Sequence, residues 1–262
     1  MSACRLSHLL SSLLLVGLLL SGCAEKDKRP APPVADTADW LAFLDRKPPQ
    51  ALDADARLQW DVRGNRGAVA ATVQTERPAL LRFAVHDPLG RDLYLVVADG
   101  REFTFVDTRK GRVYRGSTVS EFWQTWVPSA VTPEDLLPMV GGFVLDDEAR
   151  TARRLGRGEA LWYAWNDRRG LTHHVQLNQE GTGLRRHLLI DQGEQVLDIQ
   201  YTGRAQAEAS DGWAWPGELR VTGPSVGGVI ELKIGRVYGQ EPQGAAVYRL
   251  KPPPQFTVEE VR

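Results

Sequence analysis

Leu81-Arg82-Phe83-Ala84-Val85-His86, followed by Asp87-Pro88-Leu89-Gly90 and then by Leu93, Leu95 and Val97 at alternate positions, decides the fold. Leu81, Phe83 and Val85 recur with period two, which places them on one face of a strand. Asp-Pro-Leu-Gly is a turn signal, and the chain returns through Leu93, Leu95 and Val97. Asp99-Gly100 marks a second turn, Phe103 and Phe105 a third strand, and Arg109-Lys110-Gly111 a third turn into Val113-Tyr114. This is an antiparallel meander that reverses roughly every ten residues.

The same period begins near Arg57 and resumes after Ala152. It passes through Leu161/Tyr163/Trp165, Leu171/His173/Val175/Leu177, Leu188/Ile190, Leu197/Ile199/Tyr201 and Ile230/Leu232/Ile234. About ten or eleven strands are predicted by this alternation. Three helical stretches interrupt them. Residues 37–46 carry Trp40, Phe43 and Leu44 at helical spacing behind Thr37, and Pro48-Pro49 ends the run. Residues 118–126 carry Phe122, Trp123 and Trp126, with Ser117 or Ser120 as cap. Residues 133–140 follow Thr132 as cap and Pro133 at the first helical position, carry Leu136, Leu137 and Met139, and stop at Gly141-Gly142. The expected fold is therefore mainly β with a few helices: one curved antiparallel sheet whose concave apolar face is covered by a helical lid. Periodicity leaves open whether the enclosed space is a packed core or a ligand cavity.

The N-terminal residues carry a different signal. Arg5 precedes an apolar run from Leu9 to Leu20, and Leu20-Ser21-Gly22-Cys23 closes it. That layout is a secretory signal peptide; the run of about 12 residues is too short for a bilayer-spanning helix, which needs roughly 20. Leu-Ser-Gly-Cys resembles a bacterial lipobox. The resemblance implies cleavage before Cys23, lipidation of its sulfur, acylation of the new amino group and membrane attachment through the acylated Cys23. Ala24 after the cysteine, where an Asp would signal inner-membrane retention, favours the outer membrane. The chain thus divides into a signal peptide (1–22), a polar, proline-containing tether (23–36) and a body (37–262). At about 3.1 Å per residue the tether reaches roughly 40 Å.

Arg5 is the one charged residue of the first 22, so the remaining 240 of 262 residues hold 31 of the 32 basic and all 33 acidic side chains. Such balance gives no electrostatic footprint for nucleic acid. The two cysteines are Cys4 and Cys23, so the body has no thiol for a disulfide, a zinc site or a nucleophile. Gly223-Pro224-Ser225-Val226-Gly227 matches the hydrolase Gly-x-Ser-x-Gly pattern, but a strand follows it and the last histidine, His187, precedes it. The serine elbow needs a helix after it and its base later in the chain, so a hairpin loop is the better reading. His173 and His174 are adjacent on a strand and point to opposite faces, so they cannot share a metal. Asp146-Asp147-Glu148 lacks the ligand spacing of a calcium loop and reads as a solvated turn. No catalytic residue, metal ligand or cofactor is expected.

Four stretches, in their order, resemble the LolA/LolB superfamily, and within it the LolB-like outer-membrane lipoproteins most. They are the lipobox at Cys23, the strand and turn at 81–90, the helix at 132–142, and the C-terminal strands 197–201, 216–221 and 230–235. The Arg-rich stretch from Ala152 to Gly183 departs from the family pattern. The resemblance implies an unclosed β half-barrel whose lid covers an apolar cavity. It implies a monomeric, periplasm-facing lipoprotein that binds lipid or lipoprotein acyl chains as acceptor or carrier, with a periplasmic carrier protein as partner. Leu89, beside Pro88, matches the family's protruding loop residue and is the expected membrane- or cargo-contacting tip. Phe83, Leu93, Leu95, Phe103 and Phe105 are the expected cavity wall. Phe122, Trp123, Trp126, Leu136, Leu137 and Met139 are the expected lid. The alternative is a structural or assembly lipoprotein with a filled core that acts by protein contacts.

Overall fold

The computed structural model describes residues 37–156, 160–208 and 213–262, so Cys23, the signal peptide and the tether lie outside the described residues. Helix α1 (Ala38–Leu44) leads into two long strands, β1 (Ala51–Val62) and β2 (Asn65–Glu76). They are joined by Arg63-Gly64, both with positive φ, the two-residue turn whose twist matches that of the strands. The meander continues through β3 (Leu80–His86), β4 (Asp92–Ala98), β5 (Glu102–Asp107) and β6 (Arg112–Ser117). Helices α2 (Glu121–Gln124) and α3 (Pro133–Gly141) and a 3-10 turn (Asp147–Thr151) then intervene.

A second meander follows: β7 (Arg153–Leu155), β8 (Trp162–Asn166), β9 (Thr172–Leu177), β10 (Leu184–Asp191), β11 (Glu194–Thr202), the two-residue β12 (Gln206–Ala207), β13 (Glu218–Gly223) and β14 (Gly228–Gly239). Strand β14 returns to pair with β1 and joins the two meanders. The last strand, β15 (Thr257–Val261), adds beside β6. The spatial order runs β15-β6-β5-β4-β3-β2-β1-β14-β13-β11-β10-β9-β8-β7, with β12 off the path beside β14. The ends, β15 and β7, do not meet, so the sheet is unclosed.

The sheet is mixed rather than purely antiparallel, because β15 and β12 pair in parallel. The parallel pairing of β15 has a plain cause. After β14 the chain crosses the outer face of the first meander before it reaches β6. Gln243 and Gly244 donate backbone N–H groups to Glu76, Arg82 donates to the Val247 carbonyl, and Leu250 and Phe256 pack on Ala84, Leu95, Val106 and Val113.

The main core fills the concave side. Trp40 of α1 is fully buried, stacks on Tyr163 at 5.0 Å and Phe43 at 5.6 Å, and donates its indole N–H to the Ala149 carbonyl at 2.7 Å. Val73 of β2 and Val175 of β9 belong to this same cluster. Pro78, after β2, and Trp165 of β8 line one cleft although seven strand steps separate β2 from β8, a span of roughly 34 Å in a flat sheet. The sheet is therefore strongly curved around the helices.

All three helices form where the apolar spacing predicts them, with shorter bounds for the first two. Helix α2 is a single turn, capped by the Ser120 hydroxyl, which accepts from the Trp123 N–H; Trp126 lies beyond its end. At the start of α3 the Asp135 carboxylate accepts from both the N–H and the hydroxyl of Thr132, at 2.8 and 2.9 Å. Its other end stops at Gly142, which adopts the left-handed conformation, and Trp213 donates to the Gly141 carbonyl.

Candidate functional site: an aromatic face and a charged cleft

Strand register sorts the expected wall residues onto two faces. Phe83, Val96 and Phe105 lie opposite one another across β3, β4 and β5, while Leu95 lies opposite Ala84 and Val106. Leu95 therefore faces outward, beneath the C-terminal crossing, and not on the concave wall where sequence reasoning puts it, while Leu93 sits at a bulge in the β3–β4 pairing. The hairpin signal made every apolar residue of β4 equivalent, and only the strap over the outer face breaks that equivalence.

On the concave side Phe103 is buried against Trp123, and Phe122 stacks on Phe103 at 5.6 Å. Phe105 is half-buried at the centre of a continuous group of rings: Tyr94 at 5.8 Å, Tyr114 at 5.9 Å and Trp126 at 5.8 Å. Trp126 is nonetheless 65% exposed, and Val119 beside α2 is 77% exposed. Bulky apolar groups left in water at this density mark a contact surface. Tyr94 and Tyr114 escape a search for aliphatic alternation, yet they share the Phe105 face. Of the α3 residues, Leu137 and Met139 are buried in the main core and Leu136 packs partly against it.

Leu89 projects from the β3–β4 loop, 78% exposed, with Pro88 and Gly90 also exposed. The loop that carries it is braced. Asp87 accepts from the backbone N–H groups of Leu89 and Arg91 at 2.8 and 2.9 Å and from the Arg91 guanidinium at 2.7 Å. The Arg91 amide first, then its guanidinium and the Leu89 amide, outweigh the loss of solvation and hold the Asp87 carboxyl below its ordinary range. A preorganised loop thus presents a single apolar side chain to solvent.

A cleft of about 440 Å³ opens between α3 and strands β8–β10. Met139, Phe143 and Leu145 give it an apolar lining, and carboxylates, guanidiniums and histidines share the wall with them. His173 and His187, both buried, meet there at 2.9 Å (Nδ1 to Nε2), and His173 Nε2 lies 3.3 Å from Asp167 Oδ2. Trp165 stacks on His173 at 4.6 Å and donates to Asp146 at 2.6 Å. Arg169 bridges Asp135 and Asp167, and Arg168 pairs with Glu148. His173 thus takes as partner not its neighbour His174 but His187 of the next strand, and Asp146 belongs to a cleft wall, not to a solvated turn. Residues 14 apart in sequence carry no spacing signal for such a pair.

Burial holds His187 down to about 3 and also lowers His173. An unfolded histidine titrates near 6.5, so below that value the unfolded chain binds more protons than the folded one. Stability is then complete above pH 6.5 and falls as the pH drops from 6.5 toward 3. We expect a loss on the order of 2 kcal/mol at pH 5 from His187. Urea titrations at pH 7 and pH 5 check this, and His187→Gln is expected to flatten the difference.

Ser225 sits in the β13–β14 hairpin, where its hydroxyl donates to the Val196 carbonyl at 2.7 Å. The elbow reading of Gly-x-Ser-x-Gly fails here because the segment after the motif is β14. Ser225→Ala is expected to change stability by at most about 1 kcal/mol and to leave any esterase activity of the protein unaltered, as measured by denaturation and ester hydrolysis. Among the described residues no three His, Cys, Asp or Glu side chains are placed to hold a metal ion, and no helix is long and apolar enough to cross a membrane.

No protein-family model matches the sequence, and no curated protein matches it. Solved structures do. A DUF1329 family protein from Desulfovibrio piger aligns with 80% of this chain and 93% of its own, at 14% identity and a TM-score of 0.56. A LolA superfamily protein from Nitrosomonas europaea aligns with 80% of this chain and 97% of its own, at 10% identity and a TM-score of 0.52. The chain shares the fold of these two proteins. At these identities the likeness is one of architecture: an unclosed sheet with short helices on its concave side. The likeness agrees with the mainly β, unclosed-sheet fold expected from the sequence, and it does not single out the LolB-like branch.

Proposed function

We propose that this protein is a tethered lipoprotein of the bacterial envelope that handles lipid or lipoprotein acyl chains on the aromatic face formed by β4–β6 and α2. The observation that carries the reading is Trp126, largely exposed yet stacked on Phe105 within a continuous group of rings. The lipobox-like Cys23 supplies the anchor, and Leu89 on its braced loop is the group that touches the bilayer or the cargo. An acyl chain laid over Phe105, Tyr114 and Trp126 removes apolar area from water without needing a catalytic group, at about 0.8 kcal/mol per buried methylene. The test is native mass spectrometry of the delipidated full-length protein with palmitate or an acylated peptide. One bound chain is expected; no bound chain at any ratio contradicts the reading.

A second reading is favoured by one observation. The concave side beneath α1 and α3 is occupied by the main core, and the cleft beside α3 mixes charged groups with its apolar lining. A protein with such an interior acts as a structural or assembly lipoprotein through surface contacts. It predicts a crosslinked protein partner at the Trp126 face and no acyl binding.

A further inference from the structure

The cleft beneath α3 has a recognition chemistry of its own. Asp167 accepts the Arg169 guanidinium and the Arg169 and Leu171 N–H groups, so it is a carboxylate and can only accept from His173. His173 Nε2 therefore carries a hydrogen. In a neutral ring Nδ1 is then an acceptor, and the His187 Nε2–H donates to it. What remains is Nδ1 of His187, a lone pair with no hydrogen-bond partner among the described residues. His187 lines the cleft and is itself 6% exposed.

The carboxylates of the wall point to the same kind of ligand. Six line it: Glu134, Asp135, Asp146, Asp147, Glu148 and Asp167; three guanidiniums oppose them. Arg169 is used by Asp135 and Asp167, and Arg168 by Glu148 and, at 3.8 Å, Asp147. Among the described residues Glu134 and Asp146 make no ion pair, although the Asp146 charge still acts on Arg168 at longer range. Arg77 also lines the cleft. Burial and the Glu148 carboxylate raise the Asp146 pKa, the condition of a carboxylate short of positive charge. Trp165 adjoins both groups: its Nε1 donates to one oxygen of Asp146, whose other oxygen accepts from the Glu148 N–H, and its ring centre lies 6.3 Å from that of His187.

We propose that this cleft binds a primary ammonium group carried on a short apolar body, with Asp146, Glu134 and His187 Nδ1 as acceptors and Met139 and Phe143 against the apolar part. An ammonium has three donors and one positive charge, which matches three acceptors in a wall with surplus negative charge. The site shares no residue with the aromatic face and does not depend on acyl binding there. It draws Trp165, Asp167, Arg168, Arg169 and His173 from the Arg-rich stretch that departs from the family pattern.

The test is calorimetric titration of the full-length protein with hexylammonium, hexanol and hexanoate, which share length and differ in charge. Hexylammonium is expected to bind at least about tenfold more tightly than hexanol, with hexanoate weakest. Asp146→Asn keeps the acceptor for the Trp165 N–H and is expected to weaken hexylammonium about tenfold; Glu134→Gln, on the exposed side of α3, is expected to weaken it several-fold without touching the fold. Vesicles of phosphatidylethanolamine and of phosphatidylcholine distinguish a lipid amine from a free one: Asp146-dependent preference for the former assigns the headgroup, and equal binding assigns a free amine. Hexanoate binding as tightly as hexylammonium, no hexylammonium binding at millimolar concentration, or hexylammonium affinity unaltered in both variants overturns the proposal.

Discussion

Trp40→Ala is expected to destabilise the protein by about 3–5 kcal/mol, the range for removing a fully buried large aromatic side chain. Trp40 has no exposed surface, touches Phe43, Tyr163 and Trp165, and supplies the one donor that the Ala149 carbonyl accepts from it at 2.7 Å. Its loss removes the apolar area that docks α1 on the sheet, leaves a cavity beside Tyr163 and takes one of the two hydrogen bonds from the Ala149 carbonyl, which keeps the Ala152 N–H. Trp40→Phe restores much of the area but not the N–H, so it is expected to recover more than half of the loss. Denaturant midpoints for the two variants check the split. An effect below about 1 kcal/mol for Trp40→Ala would mean that α1 is not part of the core.

Trp126→Ser is expected to have the largest effect on ligand binding and almost none on stability. Trp126 is 65% exposed, so roughly 160 Å² of its surface is open to a ligand, and covering half of that at about 25 cal/mol per Å² gives ~2 kcal/mol. That corresponds to about a thirtyfold loss of acyl affinity, read by native mass spectrometry or fluorescence titration. Leu89→Glu separates a second step. Leu89 makes no part of the ring cluster, so acyl affinity is expected to stay within about twofold while the rate of acyl transfer to vesicles falls several-fold. If Leu89→Glu lowers affinity and Trp126→Ser does not, the contact surface is the loop rather than the aromatic face.

Much of this fold is written in local patterns. The period-two runs at Leu81–Val85 and Ile230–Ile234, the turn at Asp87–Gly90 and the Thr132-Pro133 helix start each state their own structure because neighbouring residues in the chain decide it. The order of the strands is not local. Nothing in 240–256 announces a segment that crosses the outer face, so the outward side of Leu95 and the parallel addition of β15 are legible only in the folded chain. The candidate sites divide in the same way. The ring-bearing segments are visible as Phe105, Phe122 and Trp126, whereas Tyr94 and Tyr114 join them through register. The charged cleft is the least legible, since Asp146, Trp165, His173 and His187 come from four segments and meet only because the sheet curves.

The most direct test of the aromatic-face account is photocrosslinking of the full-length protein with a palmitate bearing a diazirine near the end of its chain, followed by peptide mapping. The account predicts labels on Tyr94, Phe105, Tyr114 and Trp126. Labels confined to the 143–148 cleft or to the 240–256 crossing, or no ligand-dependent label at all, would contradict it.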